Sequence, residues 1–167
     1  MYAQESTCIS TAVIHRGHVV TSDTVVSTSG LRLVRAPSSG GTGANLMQVA
    51  ITSLMGVAAE GSTSDGSTTG LGAVSGDSRK IGFYPAGPNV EFKGWCKGAN
   101  AVGSTMIGTN KAIILDSTLN TFFIDSSNST AALAAAVITG IPSETDGDTN
   151  GPCYFRFLSS NLSMAIL

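Results

Sequence analysis

The chain has 167 residues, 12% of them charged, and a formal net charge of −2. That length suits a single domain, or a smaller domain with an extended arm, and buries a core without a metal or disulfide staple. The Lys and Arg residues are scattered, with no cluster longer than Arg79-Lys80, so binding of nucleic acid through its phosphates is not expected.

Ser and Thr make up roughly a quarter of the chain, about twice their usual share. With abundant Gly they suit strands and tight turns, while the strong helix formers Glu, Lys and Arg are sparse. The composition predicts a mainly β protein. Its polar, weakly charged surface suits contact with another protein over a large area, because few ions must be desolvated.

In residues 1–45 short apolar pieces (Val13-Ile14, Val19-Val20, Val25-Val26) alternate with polar residues and lead to Leu31-Arg-Leu-Val-Arg. That alternation fits a strand pairing with its own domain or with a neighbour. Pro37-Ser-Ser-Gly-Gly-Thr-Gly follows and reads as a flexible hinge. Residues 1–45 are therefore expected to be an N-terminal arm and hinge, and 46–167 a β-barrel domain that stays folded when 1–36 are removed. The first residues lack the basic and apolar regions of a signal peptide.

Residues 46–60 fit both an alternating strand and a helix; β-branched Val49, Ile51 and Thr52, with Gly56 after them, favour strand. The run is too short and too interrupted by Gln48, Thr52 and Ser53 to span a bilayer, so no membrane association is expected. Residues 60–80 are low in complexity and read as an exposed loop or loose edge strands. Their glycines lack the order that a phosphate cradle needs.

From Ile81 onward strands recur. Residues 81–84 end at Pro85. Residues 90–96 set Val90, Phe92, Gly94 and Cys96 on one face and Glu91, Lys93 and Trp95 on the other. Residues 112–115 form the continuous apolar run of a strand buried on both sides, and 121–124 follow. Residues 130–136 are alanine-rich, with Asn128 or Ser129 as N-cap, and predict one short helix. Residues 137–141 end at Pro142, 143–152 form an acidic turn, and 154–158 close the sheet together with 162–166. This spacing predicts a compact β-barrel or sandwich with an extended N-terminal arm and at most one short helix.

Reactive chemistry is sparse. Cys8, Cys96 and Cys153 lie far apart without C-x-x-C spacing, which argues against a disulfide framework or a zinc site. Cys96 and Cys153 are either free buried thiols, the blander reading, or a pair meeting in the core. A reducing cytoplasm is the expected place of synthesis. His15 and His18, three apart, face opposite sides of a strand and serve one metal ion badly; on a flexible arm they give no preformed triad pocket. Asp146-Gly-Asp-Thr-Asn-Gly has the hard donors of a calcium loop without the EF-hand order, so a β-turn is the simpler reading and weak calcium binding at 146–151 stays open. Asp116 fits a turn cap better than a general base. No paired acid and base stand out, so neither an enzyme nor a cofactor is expected. The phenylalanines read as core, and Trp95, on the face away from Phe92, is a candidate interface anchor.

Leu54-Met-Gly-Val-Ala-Ala-Glu, Phe83-Tyr-Pro-Ala, Val90-Glu-Phe-Lys-Gly, Leu115-Asp-Ser, Ile138-Thr-Gly-Ile-Pro and Tyr154-Phe-Arg-Phe follow one another over about two thirds of the chain. In this order they resemble the capsid cement, or head decoration, proteins of tailed bacteriophages. The resemblance implies a β-barrel with an N-terminal extension, bound outside the shell of an HK97-type major capsid protein, and a homo-oligomer, with a trimer favoured. It implies a structural virion protein on the outer capsid surface, with the major capsid protein as partner. Tyr2, Arg16, Leu31, Leu33 and Arg35 in the arm, with Trp95, are the expected contacts. The rival readings are a tail-tube or head–tail connector subunit and a carbohydrate-binding β-sandwich with Trp95 and Tyr154 as its sugar platform.

Overall fold

The computed structural model describes residues 4–8, 14–22, 32–35, 38–41, 46–49, 53–59, 80–127 and 133–162; in 4–8, 32–35, 38–41, 46–48, 80 and 81 the description is of the backbone. The protein is mainly β. Its described strands are β1 (Gln4–Cys8), β2 (Val19–Ser22), β3 (Arg32–Arg35), β4 (Ser38–Gly41), β5 (Leu46–Val49), β6 (Leu54–Ala58) and β7 (Lys80–Pro85), then β8 (Phe92–Lys97), β9 (Asn110–Lys111), β10 (Ile113–Asp116), β11 (Thr121–Asp125), β12 (Ala136–Gly140) and β13 (Gly151–Phe157). The chain divides into two compact units. One takes Met1–Ala36, Ile51–Ala86 and Leu162–Leu167; the other takes Pro37–Ala50 and Gly87–Asn161.

The first unit is a closed five-stranded barrel in the order β1-β3-β2-β6-β7. All its pairs are antiparallel except β1 with β3, and β1 closes the ring against β7 (Gln4 opposite Phe83, Ser6 opposite Ile81). Val19, Val20 and Thr21 suit a strand because their branched side chains fill a pleated, buried surface. Ile14, Val20, Met55, Ala58 and Phe83 form the core. The β2–β6 register shifts between Val20 and Thr21, so Met55 is the extra residue of a bulge. Gly56 follows it with φ +156, and a Cβ there would lie 2.0 Å from the Tyr84 carbonyl oxygen. Only glycine allows β6 and β7 to approach this closely.

This barrel corrects the expectation of an extended N-terminal arm and of a boundary at residue 45. β1, β2 and β3 are three of the five barrel strands, and Ser38–Gly41, expected as hinge, pairs as β4 with β5 in the second unit. The physical reason is that strand pairing is made by backbone groups, so short polar or glycine-rich pieces qualify once a neighbouring strand supplies partners.

The second unit is an eight-stranded sheet in the order β4-β5-β10-β11-β8-β13-β12-β9. All four residues of β10 are buried, as a strand covered on both sides requires. It turns into β11 through Ser117–Asn120, where Asn120 takes a left-handed φ of 49° and Asp116 Oδ1 accepts the N–H groups of Thr118 (2.9 Å) and Leu119 (3.0 Å). One sheet face packs Phe92, Phe155 and Phe157 with ring centroids 5.2–5.8 Å apart. Buried Cys96, Ile113, Ile124, Ile138 and Cys153 line the same unit. Of the helix expected over 130–136, residues 130–132 lie outside the described residues, Leu133 is in a 3-10 turn, Ala134 and Ala135 are irregular and Ala136 begins β12; the other described helical segments are the 3-10 turns Ser104–Met106, Ser143–Thr145 and Ser159–Asn161. β13, expected to close the sheet, is an inner strand between β8 and β12.

Candidate functional site

Two strands of the second unit carry the most distinctive surface. β8 and β13 run antiparallel with Trp95 opposite Pro152, Lys93 opposite Tyr154 and Phe92 opposite Phe155. Because side chains alternate, Phe92, Gly94, Cys96, Cys153, Phe155 and Phe157 take the core side and Lys93, Trp95, Pro152, Tyr154 and Arg156 take the other. Trp95 is 54% exposed and Tyr154 37% exposed. They are diagonal neighbours, their Cα atoms roughly 7–8 Å apart, a spacing that aromatic rings bridge.

The neighbouring strands extend the strip. β11 runs parallel to β8 with Ile124 beside Cys96, which puts Phe123 on the Trp95 side. Lys97 Nζ stands 5.3 Å from the centroid of the Phe123 ring. On the other flank Gly140 of β12 lies opposite Tyr154, and a Cβ there would meet Tyr154 Cδ2 at 3.4 Å, so the Tyr154 ring leans over bare backbone. The face thus holds an aromatic strip, Phe123–Trp95–Pro152–Tyr154, beside the cations Lys93, Lys97 and Arg156.

The charges on this face differ in how far they are satisfied. Lys97 pairs with Asp116 at 2.5 Å, and this bond, with the Leu119 N–H, holds the Asp116 carboxyl below the usual carboxylate range against the opposing effect of burial. Glu91 Oε2 accepts the Thr139 hydroxyl at 2.6 Å. Lys93 makes no ion pair among the described residues, and Arg156 Nε is buried without a hydrogen-bond partner.

Elsewhere the chemical groups are occupied in holding backbone. His15, Arg16, Gly17 and His18 form a tight turn, closed by His18 N–H to the His15 carbonyl and by Gly17 at φ +87. The two rings meet edge to face at 5.0 Å rather than facing opposite sides of a strand, and His18 Nδ1 accepts the His15 backbone N–H. Asp146 Oδ1 accepts the Ser104 N–H, and Gly147 N–H bonds to the Val102 carbonyl, so the acidic turn is stitched to a neighbouring loop. Among the described residues no group of three or more His, Cys, Asp or Glu is placed to hold a metal ion. Buried Lys111 donates to the Ser126 carbonyl at 3.1 Å. The Cys153 thiol is pushed up by its bond to Cys96 and by burial; both cysteines are free and buried.

Of the expected contact residues, Trp95 is on the exposed strip and Arg16 is exposed in the His15–His18 turn. Leu33 and Arg35 lie on β3, paired in backbone with Ser22 and Val20, and their side chains are outside the described set. Tyr2 and Leu31 lie outside the described residues. Arg16 belongs to the first unit and Trp95 to the second. Lys93 shares the face of Trp95 as the alternation of residues 90–96 predicts, and Lys97 and Arg156, which that alternation did not single out, join it on β8 and β13. No family model, no curated protein and no solved structure matches this chain.

Proposed function

We propose that this chain is a structural protein that lies against a larger protein assembly: the outer surface of an HK97-type capsid, where it bridges major capsid protein subunits and associates with copies of itself, as a trimer. The observation that carries this reading is the exposed Trp95 and Tyr154 pair on two hydrogen-bonded strands, backed by a packed phenylalanine cluster. Large aromatics held on a rigid sheet supply contact area without a large ordering cost, which is what an interface anchor requires. Each seam covered adds about 25 cal/mol per Å² of apolar surface, and the gain repeats over every copy on a shell.

The test is to add the purified chain to expanded empty capsids and to follow pelleting and shell melting. Pelleting near one copy per capsid protein with a raised melting temperature supports the reading; unchanged shell melting at saturating addition sinks it. A handful of copies per particle points instead to a connector or tail-tube subunit. A second reading has its own observation: Trp95 and Tyr154 on one face, with Glu91 and Thr139 nearby, also suit stacking against a sugar ring. A glycan array with wild type and Trp95→Ala separates the two, because a sugar platform loses its signal in the variant.

A further inference from the structure

Two thiols meet on the core side of the second unit. Cys96 of β8 lies opposite Gly151 and Cys153 of β13 lies opposite Gly94. The cysteines are therefore diagonal neighbours on antiparallel strands, and neither has a side chain directly across from it. Both are fully buried and free, and they are hydrogen-bonded to each other. Side chains converge along this diagonal one step away as well. Gly94 stands to Phe155 as Cys96 stands to Cys153, and a Cβ on Gly94 would lie 2.8 Å from Phe155 Cε1.

The surroundings give the two sulfurs unequal roles. The bond from Cys153 holds the Cys96 thiol low against the effect of burial, and the charge of Lys111 adds to it. The same bond and burial push the Cys153 thiol up. Lys111 is itself buried, donates to the Ser126 carbonyl at 3.1 Å and forms no ion pair among the described residues. Buried Asp125, beside Ser126, turns its Oδ1 to the Ser127 N–H instead. A buried ammonium placed this way favours an anion close by, and Cys96 is the group that can become one.

We infer that Cys96 and Cys153 are a redox pair, closed to a disulfide between β8 and β13 by a small hydroperoxide and reopened by thiols. The Cys96 thiolate attacks the outer oxygen of the hydroperoxide and the O–O bond breaks. The alkoxide takes up the proton that Cys96 gave up and leaves as an alcohol (water, from hydrogen peroxide), with Cys96 now a sulfenic acid. The Cys153 sulfur then attacks the Cys96 sulfur, its thiol proton joins the departing hydroxide, and water leaves. Two thiols thus give two electrons and two protons to one peroxide. A disulfide holds its Cα atoms about 4.4–6.8 Å apart, against roughly 7–8 Å for an average diagonal pair. Closure therefore draws β8 and β13 together at this point, and a bond closed against such a pull is more readily reduced than a relaxed one.

The test uses the wild-type chain with its three thiols reduced, treated with hydrogen peroxide at neutral pH without denaturant. Intact mass, thiol count and a disulfide peptide map follow the reaction. The expected product is lighter by two hydrogens, keeps one thiol, and carries a link between the Cys96 and Cys153 peptides. Dithiothreitol should return all three thiols. In Cys153→Ala, dimedone should trap a sulfenic acid at Cys96 and no link should form; if that variant does not fold, the wild-type map decides alone. Three thiols that survive while the methionines gain oxygen overturn the inference, as does a link that uses Cys8. So do Cys96 oxidised to the sulfinic acid without a link, no dimedone label at Cys96 in the folded variant, and a Cys96–Cys153 link that appears only in urea. In that last case the unfolded chain, not the fold, brings the sulfurs together.

Discussion

The two units solve the same problem of strand edges in different ways. The first closes five strands into a ring, using segments from residues 1–36 and 51–86 and one parallel pair, β1 with β3. The second leaves an eight-stranded sheet open and draws six of its strands, β8 to β13, from one continuous stretch. A closed ring depends on every member, because removing any one strand exposes two unpaired edges where there were none. An open sheet already has two edges, and losing an edge strand only moves one of them inward by a strand. The first unit should therefore be brittle and the second tolerant, and the exposed strip lies on the tolerant one.

The harshest way to break this contrast is deletion of residues 1–36, which takes away β1, β2 and β3 together. Loss of three of five barrel strands should abolish the first unit, contrary to what an accessory arm would allow. Far-ultraviolet circular dichroism and amide exchange check it. If protection of β6 and β7 survives the deletion, the ring is not the unit's source of stability.

Single side chains sharpen the comparison further. Phe155→Ala removes the ring that stacks on Phe92, meets Phe157 edge to face and is 6% exposed. It should cost about 3–5 kcal/mol by urea denaturation, the usual price of a large core cavity. Gly56→Ala strikes the barrel instead. Its Cβ would press on the Tyr84 carbonyl, which is backbone and cannot swing away, and its φ is strained for any other residue. A loss of about 1–3 kcal/mol is expected. A neutral Gly56→Ala would mean that the β6–β7 contact relaxes easily and that the ring is not tightly closed.

What the sequence revealed follows the same division. In the second unit the alternation of residues 90–96, the apolar run at 112–115 and the turn after Asp116 sufficed, because hairpins and buried strands print their periodicity locally. Even the exposure of Trp95 follows from its parity with Lys93. In the first unit the reading went astray: pieces such as Val19-Val20 and Leu31-Arg-Leu-Val-Arg alternate too briefly to tell an arm from a barrel. Their partners lie far along the chain or in other short pieces: Val19 pairs with Val57, residues 32–35 with β1 and β2, and β1 itself, at Gln4, with Phe83. Ser38–Gly41 has no side-chain signature at all, since its strand is made by backbone hydrogen bonds. Tyr154 was legible beside Trp95 as an aromatic pair, but Phe123 joins them only through the register of β11 with β8, and register is not written in any one segment.

A smaller effect tests the open sheet through pH. The Asp116 carboxyl is held below its ordinary value by Lys97 and the Leu119 N–H. A depressed folded value contributes stability that is complete above the unfolded value of about 4 and is lost as pH falls through the lower folded one. Asp116→Asn should therefore be less stable than wild type at pH 7 and should flatten the fall in stability below about pH 4. Urea midpoints at pH 7, 4 and 3 measure it; parallel pH profiles for the two proteins would show that this pair does not couple to folding.

The smallest expected effect on stability is also the one that joins fold to function. Trp95 is more than half exposed, its backbone pairs with Pro152 whatever its side chain, and the core of the second unit lies on the opposite face. Trp95→Ala should change the urea midpoint by no more than about 0.5 kcal/mol equivalent, as for an ordinary surface position, while Phe155→Ala, next to Tyr154 on β13, is costly. Adjacent strands would then carry stability on one face and attachment on the other. A destabilisation by Trp95→Ala approaching that of Phe155→Ala would mean that the ring is packed as part of the fold, and an anchor already in use within its own chain is not free to dock on another.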